Sequence, residues 1–184
     1  MSVPRMLVLL AVSVLAACQG ESGGAADAPP GTSIDVKGLS LVLPAGWQQV
    51  PPSSGMRAAQ AVIPGPGGPA ELALFHFGVG QGGDVEANLQ RWLGQIEMAP
   101  GAAPKREAFE SNGLRVTWID ASGTLKPGQM GMGPREAQPG SRLLGAVIEG
   151  AGGPWFIKVT GANATLEPQR DAFVAMLRGA KPAA

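Results

Sequence analysis

A single cysteine, Cys18, and a single histidine, His76, stand among the 184 residues of this chain. One cysteine excludes an intramolecular disulfide, so the fold must rest on an apolar core and backbone hydrogen bonds. One histidine leaves His76 as the base of any serine-type triad, and no Gly-x-Ser-x-Gly elbow accompanies it. Charge is sparse and balanced, with 14 basic and 14 acidic residues and no basic cluster. Nucleic-acid binding rests on neutralising several phosphates with grouped Lys and Arg, so no nucleic-acid partner is expected. An apolar run long enough to cross a membrane is missing as well. The stretch from Met6 to Ala17 spans roughly a dozen residues, where a spanning helix needs about 20.

That stretch follows Arg5 and ends in Leu15-Ala16-Ala17-Cys18, with small residues directly before the cysteine. Residues 1–17 therefore read as a removable targeting peptide. The last four positions resemble the lipobox of bacterial lipoproteins, an aliphatic residue and two small ones before a modified cysteine. The resemblance implies that Cys18 becomes the mature N-terminus, carrying a thioether-linked diacylglycerol and an amide-linked acyl chain. Each buried methylene contributes about 0.8 kcal/mol and two chains already anchor stably, so the membrane is an expected partner. The expected location is the periplasmic side of a bacterial envelope. Gln19, where Asp would favour the inner membrane by the sorting rule of enteric bacteria, points to the outer membrane.

Gln19 to Pro30 consists of Gly, Ala, Ser and Pro with scattered acids. Such a composition buries too little apolar surface to fold, so residues 18–33 read as a tether. Residues 34–180 then form one domain of ordinary size, and residues 181–184 a tail. Loss of Arg5 with the leader leaves 13 basic and 14 acidic residues, a net charge near −1. The 28 glycines and 17 prolines fall largely in connections, which suits a strand-rich domain with many turns.

Leu39, Leu41 and Leu43 alternate with Ser40 and Val42, the period of a half-buried strand that ends at Pro44. Trp47–Val50, Met56–Ile63 and Glu71–Gly78 continue the series, the last with apolar residues on both faces as in a central strand. Asp84 is a suitable N-cap for a helix in which Val85, Leu89, Trp92, Leu93 and Ile96 recur along one face, and Pro100-Gly101 bounds it. Asn112-Gly113 predicts a hairpin between Lys105–Glu110 and Leu114–Leu125. Lys126 to Ser141 reads as a long loop. A second hairpin joins Arg142–Glu149 to Trp155–Gly161, and a last helix runs from Leu166 to Arg178 with Pro168 in its first turn. The expected fold is α+β, a mostly antiparallel sheet packed by two helices. The element order, the opening Leu-x-Leu-x-Leu-Pro-x-Gly-Trp at 39–47 and the closing strand and helix are similar to the α/β/α sandwich of PsbP and DcrB-like proteins. Many bacterial members of that family are secreted or lipid-anchored. PsbP itself helps retain ions and stabilises the oxygen-evolving complex of photosystem II, but no residue set for that role carries over to this chain.

Candidate chemistry is thin. His76 lies inside Phe75-His76-Phe77, a strand context that favours a structural ring. Glu71, Glu86, Asp120 and Glu149 are dispersed, as solvated surface carboxylates would be, although a glycosidase pair is set by spatial separation and not by sequence. Met130 and Met132, with His76, offer soft ligands of the kind that suits Cu(I), yet no compact Met or His repeat accompanies them. Gly78 to Gly83 leads into the helix at Asp84 without the lysine and hydroxyl of a phosphate loop, so it reads as a turn. Trp92 and Trp118 fit the core pattern, which leaves Trp47 and Trp155 as surface platform candidates. No cofactor, metal or catalytic set is expected. The function expected is a non-catalytic, lipid-anchored binding or assembly module that contacts another envelope protein, with Met130 and Met132 as contact candidates. A divergent periplasmic hydrolase and a copper-handling lipoprotein are the alternatives.

Overall fold

The structure, a computed structural model, describes residues 31–128 and 134–183. The main sheet is antiparallel and eight-stranded: β3 (Gln48–Val50), β4 (Arg57–Ile63), β5 (Ala70–His76), β6 (Ile96–Glu97), β7 (Lys105–Ser111), β8 (Leu114–Leu125), β9 (Gln138–Glu149) and β10 (Trp155–Ala162). Their spatial order is β3-β4-β5-β10-β9-β8, with β6 and β7 sharing the outer edge of β8. A second sheet joins β1 (Thr32–Val36), β2 (Leu39–Leu43) and β11 (Lys181–Pro182). The helices are α1 (Val85–Leu93), the single turn α2 (Asn163–Leu166) and α3 (Arg170–Arg178). This is an α+β domain. No helix among the described residues is long and apolar enough to cross a membrane.

Alternation along the central strands divides the core in two. Leu144, Ala146 and Ile148 of β9, with Val116 and Trp118 of β8, face one side, where β1, β2 and α3 deliver Ile34, Leu39, Leu41, Leu43, Phe173 and Leu177. Leu143 and Val147 face the other side, together with Ile119, and there α1 supplies Leu89 and Trp92. A period of two in buried strands thus feeds both faces at once. The small sheet is tied down by polar contacts as well as by burial. Trp155 Nε1 donates to Val36 O at 3.0 Å, and Asn112 Nδ2 donates to Ala180 O at 2.9 Å. Asn112 and Gly113, with φ of 51° and 77°, form the hairpin turn that their identities predict.

Several boundaries differ from expectation. Thr32 and Ser33, read as tether, pair with Leu43 and Val42 at the start of β1. Lys181 and Pro182, read as tail, add to β2 opposite Ser40 and Leu39, so the first and last strands of the described domain lie in one sheet. β9 begins at Gln138, which shortens the expected loop, and Gly128 N donates to Pro134 O at 2.7 Å across its neck. The last helix is two: α2 ends at Leu166 and α3 begins at Arg170. Pro168 lies in the turn between them, because its missing N–H cannot donate to the carbonyl a turn earlier. α1 is also shorter than its apolar pattern suggests, closing at Gly94, and Ile96 reaches the same core from β6.

Candidate functional site

An open cleft of about 660 Å³ lies at the N-terminal end of α1. Its floor is formed by Arg115 and Thr117 of β8 and Glu149 of β9. The loop 79–84 and the β9–β10 turn close it on two sides. The chain turns sharply here: Gly78, Gly80, Gly82 and Gly83 all have φ between 70° and 92°. Gly153 has φ of 101°, and a methyl group on it would meet the Gly78 carbonyl carbon at 2.4 Å, so the two loops touch through glycine alone. Asp84 caps the helix by accepting from Ala87 N at 2.7 Å. That carboxylate already takes the first-turn amide, as its position predicts, and it opposes an anion there.

Charge is arranged across the cleft. Arg106 Nη1 on β7 lies 2.7 Å from Glu86 Oε2 on α1, tying the edge strand to the helix. A hydrogen bond from Gln90, then Arg106, holds the Glu86 carboxyl below its ordinary range. Arg115 and Glu149 stand directly opposite each other in the β8–β9 register, yet no ion pair joins them among the described residues. Both therefore present charge to the cleft. The rim carries Val79, 72% exposed, and Phe77 on the same loop is 48% exposed. Phe77 leans on Phe75 and Phe156, with ring centroids 6.4 and 6.0 Å away.

The sequence candidates do not gather at this cleft. His76 stacks on Trp155 at 4.9 Å, and its Nδ1 lies 3.1 Å from Pro154 O. No hydrogen bond links it to a serine or carboxylate among the described residues. Trp47 and Trp155 are buried and are not surface platforms, because each indole N–H has an internal acceptor: Gln169 Oε1 for Trp47 and Val36 O for Trp155. Asp120 is likewise no solvated carboxylate. It is 5% exposed and receives both prongs of Arg142, at 2.7 and 3.0 Å. Its alternation with Val116 and Trp118 carried that signal, and Arg142 shares the parity of Leu144 and Ala146. Glu71 pairs with Arg57 at 2.9 Å and Glu86 with Arg106, so of the four carboxylates only Glu149 faces the cleft without an ion-pair partner. Met130, Met132 and Cys18 lie outside the described residues. Among those described, no group of three or more His, Cys, Asp or Glu side chains could hold a metal ion. Arg115 and Thr117 were missed in the sequence, where nothing distinguishes them from other polar strand residues.

No protein-family model and no curated protein matches the chain. Among solved structures it is similar to a Pseudomonas aeruginosa protein of unknown function, named as a candidate regulator. The identity is 15%, the TM-score 0.46, and the match covers 82% of this chain and 95% of that one. At that level the likeness transfers no function.

Proposed function

We propose that this protein is a lipid-anchored envelope protein that binds a partner protein at the cleft beside α1, acting as a binding or assembly module without chemistry of its own. The observation that carries the reading is the cleft itself: opposed but unpaired Arg115 and Glu149 on its floor, and an exposed Val79 on its rim. Paired charges would be satisfied internally, whereas these two can each meet a group of opposite charge on a partner. Apolar area beside them supplies the non-directional part of binding. The anchor rests on the sequence at Leu15–Cys18 and the tether after it. The finer fold reading, a PsbP/DcrB-like sandwich, is supported by helices on both faces of a mostly antiparallel sheet.

Two experiments test the two halves of the proposal. A photo-crosslinking amino acid in place of Val79, expressed in cells, should trap one discrete envelope partner, and Arg115→Glu should abolish that adduct. An adduct that persists in Arg115→Glu, or no adduct above that formed from exposed Met56, rejects the cleft as the contact. Metabolic labelling with a palmitate analogue should mark the protein, and Cys18→Ser should remove the label and release the domain from washed membranes. A cleaved Cys18→Ser protein that stays in the membrane fraction contradicts the anchor.

A further inference from the structure

At the other end of α1 the large sheet presents a half-covered polar surface. α1 packs over β8 and β9, while the same face of β4 and β5 carries Gln60, Val62, Glu71 and Ala73 beyond the main helix contact, with Phe75 at the border packed against the α1 core. Lys158, on central strand β10, opens onto this boundary opposite Ala73. Its Nζ donates to the neutral Gln95 Oε1 at 3.0 Å, and no carboxylate lies within ion-pair distance of it. Arg57 Nη1 reaches Glu71 Oε1 at 2.9 Å without hydrogen-bond alignment, and Gln60 Nε2 takes Glu71 Oε2 at 3.0 Å. Arg57 faces Phe75 in the register and Glu71 lies four residues back along β5, so their side chains meet above Ala73, next to Lys158.

We propose that this open part of the sheet, floored by Lys158 and bounded by Arg57, is a docking surface for an acidic peptide segment that places a carboxylate on the Lys158 ammonium. Charge complementarity carries the assignment. Lys158 and Arg57 share this surface with one carboxylate, Glu71, which Arg57 and Gln60 already occupy, so the Lys158 ammonium has only the neutral Gln95 amide as acceptor. A half-buried ammonium whose acceptor is an amide gains more from a carboxylate than an exposed lysine does, since less water competes for it. Burial, followed by Arg91 and Arg57, holds the Lys158 amine below the ordinary lysine range, with Glu71 opposing. A carboxylate bound at the ammonium would offset those repulsions. The surface also has the partly exposed apolar groups Val62 and Phe75 against which a bound segment could pack. It lies at the opposite end of α1 from the cleft, so this inference does not rest on the cleft's function.

The test uses full-length protein in neutral-detergent micelles with lysine labelled at 13Cε, and hexaglutamate as the probe. Hexaglutamate should raise the Lys158 titration midpoint and shift the amide resonances of Ala73 and Gly145. Lys158→Met, which keeps the length of the side chain, and Arg57→Gln should each weaken hexaglutamate binding at least tenfold by calorimetry while leaving the amide spectrum of the core in place. An unmoved Lys158 titration, or undiminished binding by both variants, overturns the proposal. So does an equal response to hexalysine. Inorganic phosphate matching hexaglutamate at equal concentration would also overturn it, since the surface would then be a small-anion site and not one for a peptide.

Discussion

Arg142 grips Asp120 with two parallel hydrogen bonds, Nε to Oδ1 at 2.7 Å and Nη2 to Oδ2 at 3.0 Å. The Arg142 side chain is 10% exposed and that of Asp120 is 4%. The third nitrogen, Nη1, donates to Asn163 Oδ1 at 3.0 Å, so the pair on β8 and β9 also positions α2. The hydrogen bonds from Arg142 to Asp120 raise the guanidinium's pKa further, which keeps it charged at every accessible pH. This group pins the helical end of the chain to the sheet.

Breaking that pair from one side leaves a buried charge alone. Asp120→Ala should therefore cost about 3–5 kcal/mol of unfolding free energy, measured by urea denaturation. Replacing both partners with apolar residues, Asp120→Leu with Arg142→Met, should recover most of the loss. A single-variant cost below about 1 kcal/mol would show that water reaches the site and that the pair is ornamental.

Gly145 on β9 lies under the α1 indole. A methyl group there would sit 2.6 Å from Trp92 Cε3 and 3.1 Å from Ile119 Cγ1. Gly145→Ala should destabilise the fold by about 1–3 kcal/mol through overpacking, and Trp92→Leu in the same chain should cost less than the two changes summed. Strict additivity in thermal or urea unfolding would mean that α1 moves aside freely.

Gly153 sits at positive φ, and a Cβ on it would run into the main chain of Gly78 and Val79. Gly153→Ala combines backbone strain with a clash against main chain, which cannot move like a flexible side chain. The expected result is faster amide exchange at Gly78 to Gly83 and loss of the Val79 crosslink, with the β1–β2 sheet unaffected. Unchanged exchange in the loop would separate the two cleft walls.

The Lys158 amine makes stability depend on pH in the alkaline range. Its folded-state pKa is lowered, so between that value and the unfolded lysine value the unfolded chain binds more protons. Stability contributed by this site accordingly rises as pH climbs through that window. The urea midpoint of the wild type should increase relative to Lys158→Met as pH rises from the lowered folded-state value toward the ordinary lysine value, and Lys158→Met should be the more stable of the two below that window. A wild-type midpoint falling relative to the variant would reverse the sign and reject the burial of this amine.

Elements dictated by local rules were legible from residues alone. Leu39, Leu41 and Leu43 form β2, Asp84 caps α1, and Asn112-Gly113 turns the β7–β8 hairpin, because period, capping and positive φ are properties of a few adjacent residues. The α+β class followed from their order, and the lipobox-like Leu15–Cys18 is a sequence feature by nature. What decided the rest was distance along the chain. Thr32 and Lys181 look like tether and tail until β2 lies between them, and Trp155 looks available until Val36 accepts its indole proton. The cleft draws Arg115, Glu149 and Val79 from separate segments, and the open surface draws Arg57 and Lys158 from two more. Charges that are unremarkable in sequence acquire meaning only from which neighbours the sheet sets beside them and how much water it leaves. That partition between short-range conformational preference and long-range pairing is why this chain's architecture could be read early and its binding surfaces only in three dimensions.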